Sequence, residues 1–116
     1  SYNVNTGEDQ DYQLKYIKGC WRDIVRNSAS HYDPTKRVSG NSIGGVVFDW
    51  LDRWYMDGTP SEHNAGTRYW DSSDHLRHEE WFGIISMGDG SDWLTRQKRK
   101  VYDYLEGVWN KTELSF

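Results

Sequence analysis

At 116 residues the chain has room for one domain, taken as residues 1–116, and a formal net charge of −4 argues against a nucleic-acid backbone as partner. No window approaches the roughly 18 consecutive apolar residues of a membrane-spanning helix, so no membrane span is expected. Leu, Ile, Val and Phe number only 21, a fraction that alone would suggest disorder, but seven Trp and eight Tyr reverse that reading. Each such ring can bury roughly 150–250 Å², so the core is expected to be aromatic, with several rings left in a groove or an interface.

The polar opening Ser1-Tyr2-Asn3-Val4-Asn5 is not a signal peptide, although one could have been removed. From Asp9 to about Asn27, apolar residues at Tyr12, Tyr16, Ile17, Cys20, Trp21, Ile24 and Val25 follow the period of an amphipathic helix. Glu8, Asp9 and Asp11 suit its dipole at the first turn. Cys20 is alone, which excludes a disulfide framework, and its helical neighbours predict a buried, inert thiol.

Residues 28–42, punctuated by Ser, Asp-Pro, Gly and Asn, read as loop. Ile43 to Trp50 reads as a strand, because two glycines lead a short apolar run with no helical period. Residues 56–78 form a long excursion containing His63, Tyr69, Trp70, Asp71, Asp74, His75 and His78, a length that is usually functional when ordered. Glu80 to Ser86 reads as a short extended piece, and Gly88 to Asp92 as a turn that caps a final helix. That helix starts at about Trp93 or Thr95 and runs to Trp109, with Leu94, Val101, Leu105, Val108 and Trp109 inward and the basic run Arg96-Gln-Lys-Arg-Lys100 on an exposed face.

The predicted fold class is therefore α/β, in the order helix, strand, long loop, short strand, helix. One good strand cannot make a sheet. The Gly44–Phe48 run looks apolar on both faces, as a buried parallel strand would be, and its backbone needs neighbours. The chain offers at most one, residues 82–86. This shortage points to a piece of a larger α/β assembly, completed by another chain or by copies of itself.

Three stretches carry a family resemblance: Gly44-Gly-Val-Val-Phe-Asp-Trp-Leu-Asp-Arg-Trp-Tyr55, His78-Glu-Glu-Trp-Phe-Gly-Ile-Ile-Ser86 and Arg99-Lys-Val-Tyr-Asp-Tyr-Leu105. In order and spacing they resemble the end of a TIM-barrel glycoside hydrolase, among the retaining β-glycosidases and β-glucanosyltransferases. The resemblance implies a partial (β/α) barrel segment, in which residues 9–27 form the seventh helix, the strand 43–50 the eighth strand and the last helix the closing one. Two departures stand out. Asp49 replaces the Glu usual after Phe in that strand, and the catalytic carboxylates of such enzymes lie on the fourth and seventh strands, outside this chain. A retaining mechanism needs a pair of carboxyl groups about 5–5.5 Å apart. Hence no catalytic residue is assigned, and any glycosidase or transglycosylase activity belongs to a larger assembly.

The candidate substrate-binding residues are Asp49, Trp50, Asp52, Trp54, Tyr55, His78, Glu80 and Trp81. Carboxylates accept bonds from sugar hydroxyls, and aromatic faces stack on the C–H faces of a pyranose. The competing reading makes Asp49 and Asp52 acceptors that support their neighbours, pairs Glu79 and Glu80 with Arg53, Arg68 or Arg77, and puts the rings in the core or an interface. His75 and His78 lie three apart beside acids but lack a metalloprotease pattern, so no metal and no cofactor are expected. Asn110-Lys-Thr112 is an N-glycosylation sequon, which with a glycan such as β-glucan as ligand favours an extracellular or cell-surface location. The alternative is a non-catalytic, self-associating structural or carbohydrate-binding protein, as a homo-oligomer or filament.

Overall fold

The computed structural model describes residues 2–3, 7–30, 32–56, 61–63, 79–88 and 95–110. Its architecture is mixed α and β. Among the described residues two helices, α1 (Gln10–Arg26) and α2 (Lys100–Trp109), accompany three two-stranded antiparallel sheets. These pair β1 (Tyr2–Asn3) with β2 (Gly7–Glu8), β3 (Tyr32–Asp33) with β4 (Val38–Ser39), and β5 (Ile85–Ser86) with β6 (Gln97–Lys98). Short 3-10 turns lie at Trp54–Met56 and Glu79–Trp81. No closed barrel forms among the described residues.

The first helix starts where its sequence says it should. Asp9 is the N-cap, its Oδ1 accepting from the Tyr12 N–H at 2.8 Å, which satisfies one of the free amides of the first turn. Asn27 ends the helix, its side-chain amide donating to the Asp23 carbonyl at 2.8 Å. The inward face differs from the expected one. Gln13 is buried, Leu14, Ile17 and Trp21 are half-buried, and Tyr12 and Tyr16 are about 60% exposed. Cys20 is exposed, which corrects the expectation of a buried thiol. The buried face is turned toward Gln13 because that side chain reaches the carbonyls of residues 82 and 83.

The second helix buries Val101, Leu105 and Val108 at the i, i+4, i+7 spacing predicted for it. It begins later than expected. Gln97 and Lys98 spend their backbone groups on β5, in the register Ile85↔Lys98 and Ser86↔Gln97, so the helix cannot start before Lys100. The basic run is accordingly no helix face, and Arg99 is completely buried. Arg99 N–H donates to the Ile84 carbonyl at 3.0 Å, fixing the helix start against β5.

The two helices run side by side in the same direction. Near their starts Lys100 Nζ lies 2.6 Å from Asp11 Oδ1; midway, Lys18 Nζ sits 5.0 Å from the Tyr104 ring centroid; near their ends Trp21 and Trp109 meet edge to face at 5.8 Å. Between them and the extended pieces lies the core: Ile84, Val101 and Leu105, with Leu14, Ile17, Val47 and Ile85 packed on it. Full burial of one such aliphatic side chain contributes about 1.5–3 kcal/mol.

The expected strand Ile43–Trp50 divides in two. Its downstream end pairs in parallel fashion with residues 82–85: Ile84 N–H donates to the Asp49 carbonyl at 2.9 Å, Ile85 N–H to the Trp50 carbonyl at 3.1 Å, and Leu51 bridges Ile85. The Phe48–Asp49 peptide bond is cis. Upstream, residues 43–48 have no ladder partner among the described residues, so the regular strand expected there is not formed. Gly45 and Val47 face the helices. A Cβ on Gly45 would come within 2.6 Å of Ile24 Cδ1. Ile43 and Val46 are 99% and 96% exposed.

Candidate functional site

The chemistry-bearing residues gather where the parallel pairing of 49–52 with 82–85 ends. Asp52 leaves that pairing with its carboxylate turned inward and 3% of the residue exposed. Oδ1 accepts from the Gly83 N–H at 3.0 Å and from Arg99 Nη1 at 2.5 Å, while Oδ2 accepts from Arg99 Nη2 at 2.7 Å. Arg99 uses its remaining donors on the Gly83 carbonyl at 2.5 Å and on Glu8 Oε1 at 2.7 Å. Gln13 Nε2 donates to the same Gly83 carbonyl at 3.1 Å. A planar, permanently charged fork is what such a bidentate contact requires.

The surroundings shift the charges in opposite senses. Burial pushes the Asp52 carboxyl up, and the Arg99 bonds and charge with the Gly83 amide pull only part of the way back, so it stays above the ordinary Asp value. Burial also raises Glu8, but it is less enclosed, and the Arg99 bond and charge outweigh it, leaving Glu8 below its usual value. The upward shift at Asp52 is the cost of holding an ion pair away from water.

Above this pair three rings stack. His63 lies nearly parallel to Trp54, with centroids 4.8 Å apart, and to Trp81, with centroids 3.4 Å apart. Its Nε2 donates to the Glu80 carbonyl at 2.9 Å and stands 3.8 Å from Asp52 Oδ2. Burial drives the His63 pKa down to about 4, the Glu80 carbonyl opposing it, so the ring is neutral at pH 7 with its proton on Nε2.

The structure thus divides the candidate set. Asp52, Trp54 and Glu80 are buried, and their neighbours use them for packing and hydrogen bonding. Trp81 is half-buried, its ring against His63. Asp49, Trp50 and Tyr55 remain toward solvent. Asp49 Oδ2 lies 2.6 Å from Arg53 Nε, an ion pair whose N–H direction is not that of a hydrogen bond, and Oδ1 accepts from the Trp50 N–H at 2.6 Å. Trp50 is 57% exposed with one ring edge toward Tyr102, and Tyr55 is 64% exposed. His78 lies outside the described residues, as do Tyr69, Trp70, Asp71, Asp74 and His75 of the same predicted loop. Asn110 is exposed at the C-cap of α2, while the rest of its sequon falls outside the described residues.

Sequence reasoning gave no role to Arg99, Gln13, His63 or Gly83. A Cβ on Gly83 would collide with backbone atoms of Leu51, Asp52 and Ile85, so only glycine lets the two extended pieces come this close. The Gly83 spacing after Trp81-Phe82 was the one signal in the sequence that could have suggested this contact. Asp52 has both oxygens committed, so it is not placed to act as an acid or a nucleophile. What the exposed group offers is an aromatic and carboxylate surface beside a buried, rigid floor. No family model, no curated protein and no solved structure matches the chain.

Proposed function

We propose that the chain is a sheet-completing segment of a larger α/β barrel of carbohydrate-active type, forming one wall of a glycan-binding cleft. The observation that carries this reading is the segment Gly44–Phe48. Its helix side is packed on two parallel helices, yet its backbone has no ladder partner among the described residues, and on its other side Val46 is 96% exposed while the Phe48 ring meets Phe82 and Arg53. A run apolar on both faces belongs inside a sheet. Two more features agree with an unfinished surround: the buried Gln13 Oε1 and Trp54 Nε1 have no hydrogen-bond partner among the described residues.

The carbohydrate part of the proposal rests on Asp49, Trp50 and Tyr55. Asp49 and Trp50 open the paired stretch 49–52 and Tyr55 lies just beyond its downstream end, the end at which loops of parallel α/β proteins gather their ligands. Trp50 and Tyr55 would stack on sugar rings and Asp49 would accept from hydroxyls, with Asp52 and Arg99 keeping the backbone beneath them rigid. Hydrolysis or transglycosylation would belong to the completed assembly, at the cell surface or outside the cell. Affinity electrophoresis through gels containing soluble β-glucans tests the carbohydrate part. The wild type should be retarded, Trp50→Ala and Tyr55→Ala should each lose most of the retardation, and Tyr32→Ala, an exposed aromatic on the β3–β4 hairpin, should keep it. Free migration of the wild type would remove the carbohydrate reading.

A further inference from the structure

We infer that, without other strands to pair with, the chain forms a twofold dimer in which Ile43–Phe48 of one copy pairs antiparallel with Ile43–Phe48 of the other. This rests on the unpaired-sheet part of the reading above and not on its carbohydrate part.

Three observations carry it. First, residues 43–48 present backbone donors and acceptors with no ladder partner among the described residues, immediately upstream of a stretch, 49–52, that does pair. What satisfies such a row is another extended backbone; a helix or a lipid offers no matching donors and acceptors. Second, the side chains of Ile43 and Val46 are apolar and uncovered, 99% and 96% exposed, while Phe48, 59% exposed, meets Phe82 edge to face and lies under the Arg53 guanidinium. Third, the sequence holds no charge from Val38 to Phe48 and no proline there. Natural edge strands are protected against pairing by lysines, prolines or bulges, and this one carries no such charge or proline.

The occupant follows from these features. Two identical uncharged stretches meet with no like-charge repulsion, and a twofold axis at Val46 sets Val46 opposite its own copy and Gly44 opposite Phe48. Such an interface is isologous and closes on itself. Residues 82–85 already lie along one edge just downstream, which leaves the opposite edge for the second copy. Gly45 and Val47 stay packed on the helices, so pairing asks for no rearrangement of the core.

Light scattering combined with hydrogen exchange tests this on the full chain. The wild type should have twice the 13.7 kDa chain mass, with amides 43–48 exchanging at least about tenfold more slowly than in Val46→Lys. Val46→Lys, at a position almost fully exposed, should be a folded monomer, and Val46→Thr, which keeps strand propensity, should remain a dimer. A monomeric wild type, a Val46→Lys variant that still dimerises, a species larger than a dimer, or a dimer with unprotected amides at 43–48 would each overturn the inference. A monomeric wild type that is still retarded by β-glucan would reject the pairing alone, and a dimer that migrates freely would reject the glycan surface alone.

Discussion

Arg99 holds Asp52 through two parallel bonds, Nη1 to Oδ1 at 2.5 Å and Nη2 to Oδ2 at 2.7 Å, with both side chains wholly removed from solvent. The two residues stand 47 positions apart, so this contact ties the start of α2 to the end of the first extended segment. Arg99 also reaches Glu8 just before α1 and the carbonyl of Gly83. One guanidinium therefore joins four separate stretches of chain.

Removing that guanidinium leaves an unpaired carboxylate in the interior. Arg99→Ala is expected to destabilise the fold by about 3–5 kcal/mol, enough to unfold a small domain of ordinary stability. The double variant Arg99→Met with Asp52→Leu should recover at least half of the loss. It replaces the charges with apolar groups of similar size, Gln13 still serves the Gly83 carbonyl, and Glu8, with 32% of its side chain exposed, can turn to water. Urea unfolding of the wild type, both single variants and the double variant measures the coupling; equal losses in the single and double variants would count against it.

His63 makes stability depend on pH. Its pKa is about 4 in the fold against an ordinary 6.5, so between those values the unfolded chain binds more protons. The contribution is fully present above pH 6.5 and is lost as the pH falls toward 4, reaching up to about 3 kcal/mol. His63→Phe retains a ring between Trp54 and Trp81 but does not titrate. Unfolding midpoints at pH 7 and pH 4.5 should fall more steeply for the wild type than for His63→Phe, and parallel declines would show that the imidazole is not the cause.

Glycine substitutions should separate sharply by position. Gly83→Ala places a methyl against backbone of Leu51, Asp52 and Ile85 and should cost about 3 kcal/mol or more, because backbone on both sides must move. Gly107→Ala, in α2 with no atom within 4 Å of the added carbon, should gain about 0.5–1 kcal/mol through helix propensity. Thermal unfolding of the two variants reads both signs. A stable Gly83→Ala would mean that the two extended pieces are further apart than described.

The helices were legible because their signals are local. The Asp9 cap and the Val101, Leu105 and Val108 spacing each lie within a few residues of what they specify. The stripe on α1 was placed with less success. Tyr12 and Tyr16 fit the helical period but point outward, because Gln13 finds two carbonyls to bond and so turns the helix that way. The basic run misled for a related reason. Four of its five residues are exposed as their charge suggests, and nothing in the neighbouring sequence marks Arg99 as the one whose partner is a distant carboxylate.

By itself the sequence determined where two helices form and where an uncharged apolar run sits between them. These follow from periodicity, capping and composition, which act over one or two turns. Tertiary structure decided which carboxylate is locked and which faces solvent, that Arg99 is interior, and that His63 is neutral between two tryptophans. Those outcomes depend on desolvation and on pairing between distant segments. Asp49 and Asp52 look alike in the sequence, and only the chain that folds over one of them makes their chemistry differ.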